Sequence, residues 1–390
     1  MIDYEEFEQH LRLHTAQAQQ LNFQIAADPE LSGQEYHACK AYVDACRGLG
    51  MTVEEQFNGQ ETAFRAVVCR AKQPVWRMAL LAEYDALPDI GHGCGHSANG
   101  AMSFLAAVVF HDMEGSLPVD IDLIGTPDEE LKGGKVAMCQ TGIFKKYDFA
   151  MMVHVTGDKS GANSRFLALN AYRIAFHGQT AHAAAQPWAG RNALNGAMLA
   201  LHAMDMLRQH VRPETRIGSY LLHGGSASNV IPDFVDMECC IRHTERAYLN
   251  TVIDKVMNCV KGAAIATETT YDVQEWGYAF DDMLWNDTAT KVVEKHLTAL
   301  HIPFETAVQA GGSSDIGNVS HQCPAIHVHL AMGDVQCPGH SRQIADMMKN
   351  QAIIPIIEQG ARIMGRTFLD MAGDKTLRQA IRAEFDNAGK

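Results

Sequence analysis

Residues 81–100 read LAEYDALPDIGHGCGHSANG. The apolar run that enters this stretch, RMALLAEYD (residues 77–85), ends in acids. A glycine-rich turn follows, Gly91-His92-Gly93-Cys94-Gly95-His96. Then comes ANGAMSFLAAVVFHDM (residues 98–113), small and apolar at helical spacing. A buried strand, a tight turn and a closely packed helix make one step of an α/β layer fold. In such folds the active groups gather at the carboxyl ends of strands, and the histidines and the cysteine fall at such an end.

The same alternation extends on both sides. Residues 4–26 and 33–49 read as helices around a DPELSG turn, and TAFRAVV (62–68) reads as a strand. Beyond the motif, VDIDLIGTP (119–127) is a strand, GKVAMCQTGIF (134–144) a helix and DFAMMVHV (148–155) a strand. From residue 168 the pattern changes. NAYRIAFHG, a helix over 190–210, TRIGSYLLHGG, FVDMECCIRH, a helix over 247–268 and TTYDVQEWGY follow in turn. That order, β-α-β-β-α-β, is the split ferredoxin-like unit. The reading is an α/β catalytic domain formed by 1–167 and 284–390, with 168–283 inserted into it. After residue 284 come a helix over 287–300, glycine-rich and strand-like pieces, a helix over 343–364 and a last helix in the tail.

With 390 residues, two domains are the default at about 100–200 residues each. A net charge of −14 and the lack of a basic run argue against a nucleic-acid surface. No apolar stretch approaches the roughly 18 residues of a membrane span. The acidic, amphipathic N-terminus lacks a signal-peptide pattern. Ten scattered cysteines fit a reducing cytoplasm better than a disulfide framework.

Cys94 and His96 are alternate residues, so on an extended segment both side chains face one point. Thiolate with imidazole suits zinc, and imidazole with carboxylates also suits manganese. A buried cysteine in a histidine-rich turn is the plain alternative. Glu129 and Glu130 close the strand ending in TPDEE. There one acid can bind metal while the other moves a proton, as water activation requires; a solvated acidic turn is the alternative. His154 closes the strand AMMVHV, and His340 follows a Pro-Gly turn. Each is ambiguous alone. Together, Cys94, His96, Glu130, His154 and His340 make a five-member ligand set, with Glu129 left over as a base.

In this ordered set the chain resembles the M20 metallopeptidases, in particular their amidohydrolase branch. EYDALPDIGHGCGH, GQTAHAAAQPWAGRNAL, GGSASNVIPD and GGSSDIGNVS look like signatures of that branch, and the likeness spans nearly the whole chain. Aminobenzoyl-glutamate hydrolase subunits and related dipeptidases look most similar. The resemblance implies two divalent ions, zinc or manganese, held by Cys94, His96, Glu130, His154 and His340. It implies Glu129 as general base and Asp85 as a supporting acid. It implies that His182, from the inserted domain, donates to the oxyanion in a neighbouring subunit, so that 168–283 serves as a dimerisation domain. Asn229 and Arg242 look like substrate-binding positions, for a polar oxygen and a terminal carboxylate. Gly312 and Ser313 look like pocket-floor residues, and Asp315 and Ser97 like helix caps. Where many members of the branch carry GHD or GHN, this chain has Gly95-His96-Ser97.

The expected function is metal-dependent hydrolysis of the amide bond of a small N-acyl amino acid or dipeptide. An amidohydrolase acting on a non-peptide amide, such as an aminobenzoyl-glutamate-like compound, is the alternative. A cysteine hydrolase using Cys94 and His96 would leave Glu129, Glu130 and His154 without a task. A non-catalytic ligand-binding member would be favoured by a missing ligand or base, and none is missing.

Overall fold

The computed structural model describes residues 4–308, 311–333 and 336–388. The chain divides into two units. The first comprises Met1–Arg165, Met283–Ala310 and Ser314–Lys390, and the second Phe166–Asp282 with Gly311–Ser313.

In the first unit, helices α1 (Tyr4–Ala27) and α2 (Tyr36–Gly48) precede strands β1 (Thr52–Glu55), β2 (Phe64–Cys69) and β3 (Arg77–Ala82). Helix α3 (His96–Asp112), β4 (Asp120–Gly125), α4 (Gly134–Gln140), β5 (Phe149–Thr156) and β6 (Ser160–Ser164) follow. The second unit holds β7 (Ala168–His177), α5 (Ala193–Leu207), β8 (Arg216–His223), β9 (Phe234–His243), α6 (Arg246–Ala266) and β10 (Thr270–Glu275). The first unit then resumes with α7 (Asp287–Ala299), β11 (Phe304–Val308), α8 (Ile316–Ser320), β12 (Ala325–Ala331), α9 (Arg342–Met348), α10 (Ile354–Gly373) and α11 (Lys375–Ala388).

The first unit is built on an eight-stranded sheet ordered β1-β2-β4-β3-β5-β12-β6-β11. Its centre is parallel: β3 pairs with β4 and β5, and β5 with β12. Strand β3 is buried on both faces after Arg77, which is why its sequence is continuously apolar rather than alternating. Helix α3 is buried from His96 to Phe110 and packs against α1 and α10. Its small residues Ala98, Ala101, Ala106 and Ala107 permit that close approach.

The second unit is a four-stranded antiparallel sheet ordered β10-β7-β9-β8. Strands β7 and β9 alternate buried and half-buried positions. The buried side chains, among them Ile174, Phe176, Met237 and Ile241, pack with Ala197, Val252 and Val256 of the two helices.

Two sequence expectations change. The helix expected over 343–364 is broken: α9 ends at Met348, and Asn350 starts a new turn by accepting from Ala352 N–H at 2.9 Å. The helix expected over 134–144 stops at Gln140, because Gly142 takes φ +73° and ends it. Among the described residues no helix is long and apolar enough to cross a membrane.

Candidate metal centre

The carboxyl ends of β3, β4 and β5 lie side by side and deliver the chemistry. Glu83 and Asp85 follow β3, Glu129 and Glu130 follow β4, and His154 sits near the end of β5. The turn from β3 into α3 brings Cys94 and His96. Gly95 occupies the N-cap of α3 at φ +83°, and a Cβ there would overlap Val155. Only glycine satisfies both constraints. After β4, Asp128 adopts φ +62°, which turns Glu129 and Glu130 out of the strand direction into one site. A Cβ at Gly134 would overlap the Pro127 carbonyl, so this glycine lets the acidic loop sit against the start of α4.

Among the described residues four donor groups result, of which one, Glu83, Glu129 and Asp315, is carboxylate only. Glu83, His96 and His154 form a second, Cys94, Glu130 and His340 a third, and His96, Glu129 and Glu130 link these two. In each group the donor atoms lie within 4.8 Å of one another. The structure thus brings together all five expected ligands and Glu129. His340, at φ +56° and with its side chain 63% exposed, places Nε2 3.7 Å from Glu130 Oε2.

The imidazoles are oriented for coordination. His96 Nδ1 donates to Asp85 Oδ1 at 2.8 Å, which fixes the tautomer and turns Nε2 toward the carboxylates. Asp85 is itself held by Glu130 N–H at 3.0 Å and by Ser32 Oγ at 2.7 Å. It therefore acts on the site through His96 and the Glu130 backbone. His154 Nδ1 donates to the Val155 carbonyl at 2.7 Å and leaves Nε2 free to ligate. Burial, then the His96 charge, lowers the His154 pKa to about 4, so this ring is neutral, as a ligand must be.

The electrostatics call for cations. Glu83, Glu129 and Asp315 gather beside buried Lys135, and Asp85 and Glu130 lie beside His96. Burial, followed by Glu130, Glu83 and Asp315, raises the Glu129 pKa well above the carboxylate range. Burial alone would lower the pKa of His96, but Asp85, Glu83 and Glu130 outweigh it and raise it well above its ordinary value. Two divalent ions would balance the surplus negative charge, so the donor set fits them. Burial and the Glu130 carboxylate push the Cys94 thiol far up. That opposes a free thiolate nucleophile, whereas a metal ion would deprotonate the thiol outright.

Several residues here escaped sequence reasoning. Lys135 Nζ lies 2.6 Å from both Glu83 Oε1 and Asp315 Oδ1. Asp315 occupies the N-cap of α8 but makes no side-chain cap bond; its carboxylate is spent on Lys135. Ser97 is not a cap either, since Gly95 takes that place and Ser97 lies buried inside α3. Buried Glu35 accepts from Gly33 N–H at 2.7 Å, Asp128 N–H at 2.9 Å and Thr62 Oγ1 at 2.9 Å. It thereby fastens the acidic loop, and burial followed by Asp85 raises its pKa to about 7. His92, lowered to about 4 by burial, belongs to none of the donor groups found among the described residues.

The remaining predicted residues lie in the second unit. His182 is exposed, and its Nδ1 accepts from Ala184 and Ala185 N–H at 3.2 and 3.1 Å. Its loop pairs with the Asn229 loop, where Ala183 N–H donates to the Asn229 carbonyl at 3.0 Å. Arg242 is half-buried on β9, opposite Leu169 and Arg216. The Gly312 carbonyl accepts from Leu167 N–H at 2.9 Å. A Cβ at Gly312 would meet nothing within 4 Å among the described residues. Ser313 is half-buried beside it.

An α/β sheet whose strand ends present clustered thiol, imidazole and carboxylate donors with a spare glutamate defines a hydrolase of the metallopeptidase class. Residues 79–370 match the model of peptidase family M20/M25/M40, and the chain belongs to that family. It is 30% identical over 377 residues to a mouse Xaa-Arg dipeptidase, covering 93% of this chain and 87% of that one. It is 30% identical over 269 residues to one of the subunits of the p-aminobenzoyl-glutamate hydrolase of Escherichia coli, covering 64% of this chain and 55% of that one. Among solved structures, a dinuclear metal-binding M20 peptidase from Bacillus subtilis shares the fold at TM-score 0.70 and 14% identity, covering 93% of this chain and 99% of that one.

Proposed function

We propose that this hydrolase cleaves the amide bond of a small N-acyl amino acid or dipeptide, using two divalent ions, zinc or manganese. The observation that carries this reading is the meeting of Cys94, His96, Glu130, His154 and His340 around a glutamate, Glu129, left over as base. Bound divalent ions polarise a carbonyl and acidify water. Glu129 takes the proton from the attacking water and passes it to the leaving amine. Asp85 holds the His96 ring in its ligating tautomer, and Glu35 holds the loop that carries Glu129.

In the second unit, His182 is assigned to the oxyanion in a neighbouring subunit, Asn229 to a polar substrate oxygen and Arg242 to a terminal carboxylate. Gly312 and Ser313 are assigned to the pocket floor. The dipeptidase relative supports a dipeptide substrate. The aminobenzoyl-glutamate hydrolase relative supports a second reading, a non-peptide amide of that type.

Chelation is expected to abolish amidase activity on a panel of N-acyl amino acids and dipeptides, with recovery on adding zinc, manganese or cobalt. A chain that holds no metal after mild purification and gains no activity from these ions would sink the reading. The ten cysteines are free thiols, which supports a reducing, cytoplasmic setting, and cell fractionation checks it.

A homodimer through residues 168–283 is part of this reading. Its support is the concentration of exposed apolar side chains there, including Met198, Met206, Tyr220, Phe234 and Ile265. Strand β8 is an edge of its sheet and carries one of them, Tyr220. Light scattering should give twice the chain mass for the wild type and one chain mass for Tyr220→Glu combined with Met206→Glu. An unshifted mass in the double variant would place the interface elsewhere.

A further inference from the structure

Glu83 is the one member of the donor groups that neither the ligand set nor the base uses and that is also aimed at two ligands. It follows β3 and is 1% exposed. Its two oxygens have different fates. Oε1 accepts from Lys135 Nζ at 2.6 Å. Oε2 has no hydrogen-bond partner among the described residues and lies 3.5 Å from His96 Nε2.

The tautomers make this arrangement informative. His96 gives its Nδ1 proton to Asp85, and His154 gives its Nδ1 proton to a backbone carbonyl. In the neutral rings both Nε2 atoms carry lone pairs. A buried carboxylate oxygen then shares a space less than 4.8 Å across with donor atoms of these two rings. Such an arrangement of acceptors is stable when a cation sits among them. Asp85 does not compete for that place, because both its oxygens are committed to His96, Ser32 and the Glu130 backbone.

We infer that Glu83 is a metal ligand, completing through Oε2 a site shared with His96 and His154. Lys135 holds the other oxygen, so the carboxylate binds through one atom only. The ion is a divalent cation that accepts imidazole and carboxylate together, which zinc, manganese and cobalt all do. This inference rests on the two-metal reading above.

The test uses the full chain, stripped by chelator and titrated calorimetrically with Zn²⁺ or Co²⁺ alone, with bound metal counted by elemental analysis. Wild type should take up two ions. Glu83→Gln should keep one with unchanged affinity and bind the other at least about 10–100-fold more weakly. The visible spectrum of the cobalt form should change at that site. Two ions bound to Glu83→Gln with wild-type affinity and spectrum would overturn the assignment and leave the two-metal reading standing. A wild type that binds no ion would overturn the two-metal reading itself. Glu83→Asp keeps the charge beside Lys135 and withdraws the oxygen. It should show the same loss at one site even if Glu83→Gln fails to fold by circular dichroism, and unchanged affinity in Glu83→Asp would also overturn the assignment.

Discussion

Replacing Glu129 by glutamine is expected to lower kcat by about 10²–10⁴-fold, the range for loss of a general acid–base, while two divalent ions stay bound. The side chain keeps its shape and loses its ability to take a proton. The expectation of retained metal follows from the grouping of donors. Cys94, Glu130 and His340 form one group without Glu129, and Glu83, His96 and His154 form another without it. Glu129 shares a donor group with His96 of one set and Glu130 of the other, within reach of a water that ions held by those sets would activate. Steady-state kinetics on the dipeptide panel, with elemental analysis of the same preparation, checks both halves. Turnover within threefold of wild type would remove Glu129 as the base. Loss of an ion would make it a ligand instead.

Much of this site was legible because its parts announce themselves locally. A thiol and an imidazole in a glycine turn, paired acids after a strand and a histidine closing a strand are each short-range signals, and the parallel sheet brings strand ends together. What the sequence did not disclose depends on distant partners. Lys135 reads as an ordinary lysine in the first turn of a helix, where a solvated side chain is the default. Its burial depends on Asp315, which is 180 positions away. Asp315 precedes a helix and reads as a cap, but a buried ammonium group outbids backbone N–H groups for its carboxylate. Glu83 left a usable trace, since it stands two residues before Asp85 at a strand end and shares its face. Strand β6, SGANS, has no apolar run, and only the flanking β11 and β12 make it a buried strand.

Replacing Lys135 by methionine is expected to destabilise the metal-free protein by about 3–5 kcal/mol, the cost of leaving a buried ionic partner uncompensated. Lys135 is fully buried, with its ammonium group between Glu83 and Asp315 and its backbone N–H on Asp315 at 2.9 Å. Burial alone would lower its pKa, but Asp315 and Glu83 reverse this and raise it above the usual lysine value, so the group is charged. Methionine fills similar volume without charge. Glu83 and Asp315 would then face each other and Glu129 across a dry interior, and their repulsion would set the loss. Urea denaturation of the chelated protein measures it, and a loss under about 1 kcal/mol would show that the three groups are not coupled as the geometry requires. Adding Glu83→Gln to Lys135→Met removes one of the stranded charges, so the double variant should recover part of the stability that the single lysine variant loses. Zinc should rescue Lys135→Met through Glu83 but not the double variant to the same extent, because only the single variant keeps the carboxylate beside His96 and His154.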